Sequence, residues 1–295
     1  MHSSARASRF SSNRQPLTGF TIIMSRTPKP LIRSNIAYST PDRIVVRGKD
    51  LPNEVLGHMN LGDFAFLQLT GKAATREQSA MFNAILITLV EHGMTPSAIA
   101  ARMTYAGAPE SLQAAVAAGL CGLGSVFVGS MEGACRMLSE ALPDAQHDAR
   151  QDGQSGAALA ELEQIARDTV AAYRARGASV PGLGHPLHKP IDPRTPRLFQ
   201  LAAENGMSGK YVKLMQLIGA EAERVSGKSL PINATGAIGA ICCEFGFPWR
   251  IVRGFGVMAR AIGLVGHIME EGEKPMAIEI WQRIEDEASA HLREG

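Results

Sequence analysis

Apolar side chains recur at a helical period along most of the chain. Thr75 and Gln78 form a capping-box start, and Met81, Ile85, Leu86, Leu89 and Val90 then fall on one face before Glu91, His92 and Gly93 end the run. Further helices are predicted over 109–122, 130–142, 159–176, 195–205, 210–226, 231–245, 248–270 and 277–292. Leu159, Leu162, Ile165, Ala166, Val170 and Tyr173 make a regular stripe, as do Ile278, Trp281, Ile284 and Ala288 in the last helix. Ser130 is a candidate N-cap. Strand character is confined to 36–46, where TPD at 40–42 reads as a turn leading into IVV. Without alternating strands and helices, a doubly wound sheet is disfavoured, and the predicted class is all-α.

The expected organisation has four parts. Residues 1–30 read as a disordered extension, and 144–156 as an exposed polar connection. Residues 31–158 and 230–295 supply two parts of a large helical domain; 159–229 form a smaller helical domain. Ligand sites commonly lie between such lobes. The segment ESLQAAVAAGLCG is rich in small residues, which implies close helix–helix contact in a core or a subunit interface.

Composition narrows the function. The 295 residues are 45% hydrophobic and 20% charged with a formal charge of +2, an ordinary globular balance offering no basic footprint for nucleic acid. The apolar run near the N-terminus is too short for a membrane span. Four cysteines form no disulfide framework or CxxC pattern, so a reducing, cytoplasmic setting is expected.

The chemistry concentrates in PGLGHPLHKPIDPR at 181–194. Four prolines deny it helix continuity, while Gly182 and Gly184 permit close backbone approach. His185, between Gly184 and Pro186, is presented from a stiff turn rather than packed on a stripe. HPLH at 185–188 has the spacing of two metal ligands, but no third ligand is evident and no metal is expected. DPRTP also reads as a helix start, with Asp192 or Thr195 capping and Pro196 first. Arg260 lies in FGVMARAIGLVGHIMEE, too apolar to face water, so its guanidinium needs an anion. His92 and His267, taken alone, read as helix-end and core histidines. GLCGLGSVFVGSMEG lacks the GK[ST] ending of a phosphate loop.

Taken in order, LGDFAFLQLTGK at 61–72, EHG at 91–93, GSVFVGSMEGA at 124–134, the proline–glycine loop, INATGAIGA at 232–240 and ARAIGLVGH at 259–267 resemble the citrate synthase superfamily, and within it the citryl-CoA lyases. The resemblance implies a large-plus-small-domain helical fold, a cytosolic homodimer, and chemistry on a coenzyme A thioester and a small di- or tricarboxylate. It implies that His92 and His185 hold substrate oxygens and that Arg194 and Arg260 hold carboxylates, with Asn233 nearby. Gly182, Leu183, Gly184, His188 and Lys189 would face coenzyme A.

Two positions depart from the synthase pattern. Phe127 stands where the synthases' GPLHGG-like segment carries an enolate-stabilising histidine; the lyases resemble this chain there, which favours cleavage. Thr235 stands in NATG where the family's N-x-D-G places its acid/base aspartate. A hydroxyl can relay or donate but cannot act as a carboxylate base, leaving His188 or His92 as candidates for that work.

Overall fold

The computed structural model describes residues 32–143 and 156–293. The expected N-terminal extension, and nearly all of the expected 144–156 connection, fall outside that range. The chain opens with a three-stranded antiparallel sheet, β1 (Ala37–Ser39), β2 (Ile44–Val46) and β3 (Lys49–Asp50), in which Tyr38 pairs with Val45. A π-helical turn (Leu51–Val55) and eleven α-helices follow among the described residues: α1 (Leu61–Thr70), α2 (Arg76–Val90), α3 (Pro96–Gly107), α4 (Leu112–Cys121), α5 (Gly129–Ala141), α6 (Gly156–Ala175), α7 (Arg194–Glu204), α8 (Lys210–Ser226), α9 (Ala234–Glu244), α10 (Trp249–Glu273) and α11 (Ala277–Arg293). The architecture is all-α and citrate synthase-like, with a small β-sheet.

The capping box at α2 forms as its sequence specifies, Thr75 accepting from Gln78 N and Gln78 accepting from Thr75 N. Met81, Phe82 and Ile85 from that helix are fully buried. Their neighbours include Phe66, Phe245, Phe247 and Phe255, whose rings meet mostly edge-on, an arrangement aromatic quadrupoles favour. Helix α10 runs through the middle, packed on α2, α3, α4 and α5. It alone among the described residues is long and apolar enough to cross a membrane; these contacts, and the buried Arg260 and Glu271, make it a core helix.

Helix α4 packs against α3 as its small residues require: a Cβ on Gly119 would lie 2.8 Å from the Ser97 carbonyl oxygen. Helices α1 and α3 were not expected from apolar periodicity. Two caps departed from expectation. Ser130 lies inside α5, whose N-cap is Val128. Helix α7 starts at Arg194, putting Pro196 third rather than first. The expected apolar face of α11 exists but is not covered, with Ile278, Trp281 and Ile284 all at least half exposed.

Glu244, the last residue of α9, accepts hydrogen bonds from Tyr211 N (2.8 Å) and Val212 N (3.0 Å) at the start of α8. Burial outweighs these donors and pushes its carboxyl up to about 7. The folded chain therefore holds a proton there that the unfolded chain, with its pKa near 4.5, releases. Stability contributed by this group is present at low pH and is lost as pH rises from about 4.5 through about 7. In urea unfolding, Glu244→Gln should reduce the stability difference between pH 5 and pH 8 by about 2 kcal/mol. An unchanged difference would show that the carboxylate is ionised throughout.

Candidate active site

Helix ends and the 179–186 loop meet in one cleft. Gly182 and Gly184 both have positive φ (+83° and +77°). A Cβ on Gly182 would also stand 2.5 Å from Gly236 Cα, so this position needs glycine for two reasons. The resulting kinked segment zips to the start of α9: Gly184 N donates to Pro231 O (2.8 Å), Asn233 N to Gly182 O (3.0 Å) and Asn233 Nδ2 to Gly184 O (2.7 Å). Asn233 Oδ1 caps α9 by accepting from Gly236 N.

Asp192 latches the loop's other end. Fully buried, it accepts from Arg194 Nε (2.9 Å), Arg194 Nη2 (2.8 Å), Arg194 N (3.1 Å) and Ala234 N (2.9 Å). Burial would raise its carboxyl, but these donors win and hold it at about 2.

The cleft, about 920 Å³, is lined by His92, Phe127, Ser130, Gly182, Leu183, Gly184, His185, Arg194, Asn233, Thr235 and Arg260 among others. Ten of the twelve residues singled out from the sequence thus share one cavity. His188 stands against it, touching His92 and His185. Lys189 is exposed and lies outside the lining.

The three imidazoles form one cluster. His92 Nε2 and His188 Nε2 are 3.2 Å apart, and the His185 and His188 rings stack with centroids at 4.3 Å. His185 Nδ1 accepts from the backbone N–H of both Leu187 (3.1 Å) and His188 (3.0 Å). Neutral His185 therefore carries its proton on Nε2 and acts as a hydrogen-bond donor. Burial, followed by the charges of Arg194 and His188, pushes His92 below its ordinary value. Burial and His188 do the same to His185, with Asp192 pulling back.

The missing third metal ligand is His92, and together the three rings could reach one ion. The tautomer opposes that use. A metal on His185 Nε2 would force a proton onto Nδ1, against two N–H donors, whereas ligating histidines usually donate from the second nitrogen.

The two guanidiniums differ. Arg194 lines the cleft with its Nε and Nη2 already bidentate on Asp192. Arg260 is buried, with Nε and Nη1 lacking hydrogen-bond partners. Its nearest carboxylate oxygen is Glu91 Oε1 at 3.8 Å, and burial pushes it below its ordinary value. Glu91 itself is occupied: its Oε1 accepts from His92 N (2.8 Å) and Gly93 N (2.6 Å), and its Oε2 meets His267 Nε2 at 3.1 Å. His267 in turn accepts from Arg102, which is fully buried and bridges to Glu270 and Glu271. Sequence reasoning missed that network behind the site, in which Arg102 and Glu271, directly bonded, lie 169 residues apart.

Thr235 and Ser130 form a hydroxyl pair, their oxygens 2.6 Å apart. Thr235 Oγ1 also lies 2.6 Å from Asn233 Oδ1, and Ser130 Oγ 2.9 Å from the Phe127 carbonyl oxygen, so two hydroxyl protons serve three contacts. The acceptors in this chain are an amide, a carbonyl and hydroxyls, so it contains no proton sink.

The family description "Citrate synthase, C-terminal domain" matches residues 45–281, and the chain belongs to that family. Among solved structures it is similar to the citryl-CoA lyase from Hydrogenobacter thermophilus, at 33% identity and a TM-score of 0.69, covering 82% of this chain and 87% of that one. The ATP citrate lyase from Methanothrix soehngenii, in complex with citrate and coenzyme A, shares the fold at 20% identity and a TM-score of 0.64. That match covers 90% of this chain and 44% of that one, so the present chain corresponds to less than half of it. The citrate synthase from Thermotoga maritima also shares the fold, at 18% identity, a TM-score of 0.57 and 73% and 55% coverage. A comparison with curated protein sequences finds no match.

Proposed function

We propose that the chain is a carbon–carbon lyase that cleaves citryl-CoA, or a closely related hydroxyacyl-CoA, to acetyl-CoA and a 2-oxoacid. The observation that carries this reading is the unpaired, buried Arg260 guanidinium sharing a cleft with three imidazoles. Glu91, 3.8 Å away, is the only carboxylate within ion-pair distance of it among the described residues, so a substrate carboxylate is the matching partner for its remaining capacity. His185, fixed as an Nε2–H donor, suits the oxygen that becomes a carbonyl. The kinked backbone at 182–184 borders the same cleft and suits the thioester side, with His188 and the exposed Lys189 further along the loop.

Phe127 distinguishes cleavage from condensation. It lines the cleft with a hydrocarbon ring where the synthases' segment carries a histidine, a departure that resembles the citryl-CoA lyases and counts against a citrate- or methylcitrate-forming enzyme. The similarity to a citryl-CoA lyase points the same way. The Ser130–Thr235–Asn233 chain favours a second reading, a coenzyme A thioester-binding homologue with altered catalysis. The proposal includes a cytoplasmic homodimer. The cysteines are all free. Met258, Ile262, Val265 and Met269 leave an apolar stripe exposed along α10, which suits a second copy.

Purified protein incubated with citryl-, methylcitryl- and malyl-type thioesters should release acetyl-CoA or propionyl-CoA from at least one. Release from none, with tight thioester binding retained, would replace the lyase reading by the second one.

A further inference from the structure

The site lacks a carboxylate where its family keeps an acid/base, and the hydroxyl chain at Thr235 cannot take up a proton. We propose that His188 supplies this function through His92, the two rings acting as a proton relay. The inference rests on the cleavage reading above and adds to it the group that moves the proton.

The geometry assigns the roles. His92 lines the cleft, whereas His188 does not. Their Nε2 atoms, 3.2 Å apart, share one proton: one ring must donate it and the other accept it. With the proton on His92 Nε2, the lone pair of the ring is on His92 Nδ1. His188 is held in place by its own backbone N–H, which donates to His185 Nδ1, and by stacking on the His185 ring. His185 cannot join the relay as a base, because its lone pair is committed to two backbone donors. The charges facing the pair are cationic or already paired. Arg194 and Arg260 act on His92, Asp192 is closed on Arg194, and Glu91 is engaged by backbone N–H groups and His267. Burial and this field disfavour the protonated form of His92 and so favour a free lone pair on its ring.

The chemical balance is complete without another reactant. The substrate's tertiary hydroxyl gives its proton to His92 Nδ1 as His92 Nε2–H passes its own to His188 Nε2. The C–O electrons form the carbonyl of the 2-oxoacid. The bond between the carbinol carbon and the thioester's α-carbon breaks, leaving its electron pair as the acetyl-CoA enolate. Return of the proton along the same path to the α-carbon yields acetyl-CoA and restores both rings.

His188→Gln and His188→Leu test this together. Glutamine can keep a hydrogen bond to His92 but cannot carry a proton. Both variants should lose about 10²- to 10⁴-fold in kcat, with KM for the thioester within about threefold of wild type. Recovery of kcat in the glutamine variant would reduce His188 to a positioning residue and overturn the relay. The ligand-free protein supplies a readout independent of turnover: by ring NMR, His92 and His188 should titrate as one coupled pair in the wild type. In His188→Gln, His92 should titrate in a single step. Independent titration of the two rings in the wild type would overturn the relay. Coupled rings in a protein that cleaves no thioester would place the failure in the cleavage reading instead.

Discussion

Replacing Arg260 with methionine is expected to lower kcat/KM for the acyl thioester by about 10- to 150-fold, the value of a charge-assisted carboxylate contact of about 1.5–3 kcal/mol. The same change should stabilise the fold. In the free protein the guanidinium is buried on α10 with Nε and Nη1 unpaired and its nearest carboxylate oxygen 3.8 Å away. An apolar chain of similar length removes that desolvation cost, so the melting temperature should rise by a few degrees, on the order of 1–3 kcal/mol. Binding of free coenzyme A should not change, because the partner proposed for this residue is the acyl part. Opposed changes in activity and stability are the signature of a cation kept for its ligand. A fall in melting temperature with normal turnover would make Arg260 part of the frame.

Asp192→Ala should instead lose both properties together. The buried carboxylate satisfies three groups of Arg194 and the first amide of α9, Ala234 N. Removing it strands a guanidinium and an N–H, a loss of about 3–5 kcal/mol. Because that latch ties the 181–194 loop to α9, His185 and Asn233 should shift relative to each other, and thioester cleavage should fall with stability. The pH dependence follows from the lowered carboxyl. Its contribution is present above about 3.8, the unfolded value, and is lost as pH falls through about 2. Wild type and variant should therefore converge in strongly acidic urea melts and separate most above pH 4. A loss under about 1 kcal/mol at pH 7 would contradict the latch.

Local signals explain which parts of this molecule were legible in the sequence. Thr75 with Gln78, and the stripe from Met81 to Leu89, specify α2 because cap and core face lie within one helix. Helix α3 has a comparable start, with Thr95 as cap and Pro96 at the first turn. Its buried face, however, is made of Ser97, Ala98, Ala101 and Arg102 rather than large apolar residues, so periodicity passed over it. The burial of Arg260 was legible because the helix around it is apolar. The pairings that define the site were not: His92 with His188, Ser130 with Thr235 and Arg102 with Glu271 are separated by 96, 105 and 169 residues. Only packing of the helices brings them together. The Asp192 fork on Arg194 lay only two residues apart. It was read as helix-start chemistry, because sequence does not reveal that the carboxylate is fully buried.

A crystal structure of the protein with a non-cleavable citryl-CoA analogue tests the assembled site most directly. One carboxylate of the acyl group should meet the Arg260 guanidinium at about 3 Å, with the tertiary hydroxyl against His92 and an oxygen on His185 Nε2. An acyl group bound elsewhere, with Arg260 still unpaired and neither ring touched, would contradict the cleft as the seat of the chemistry.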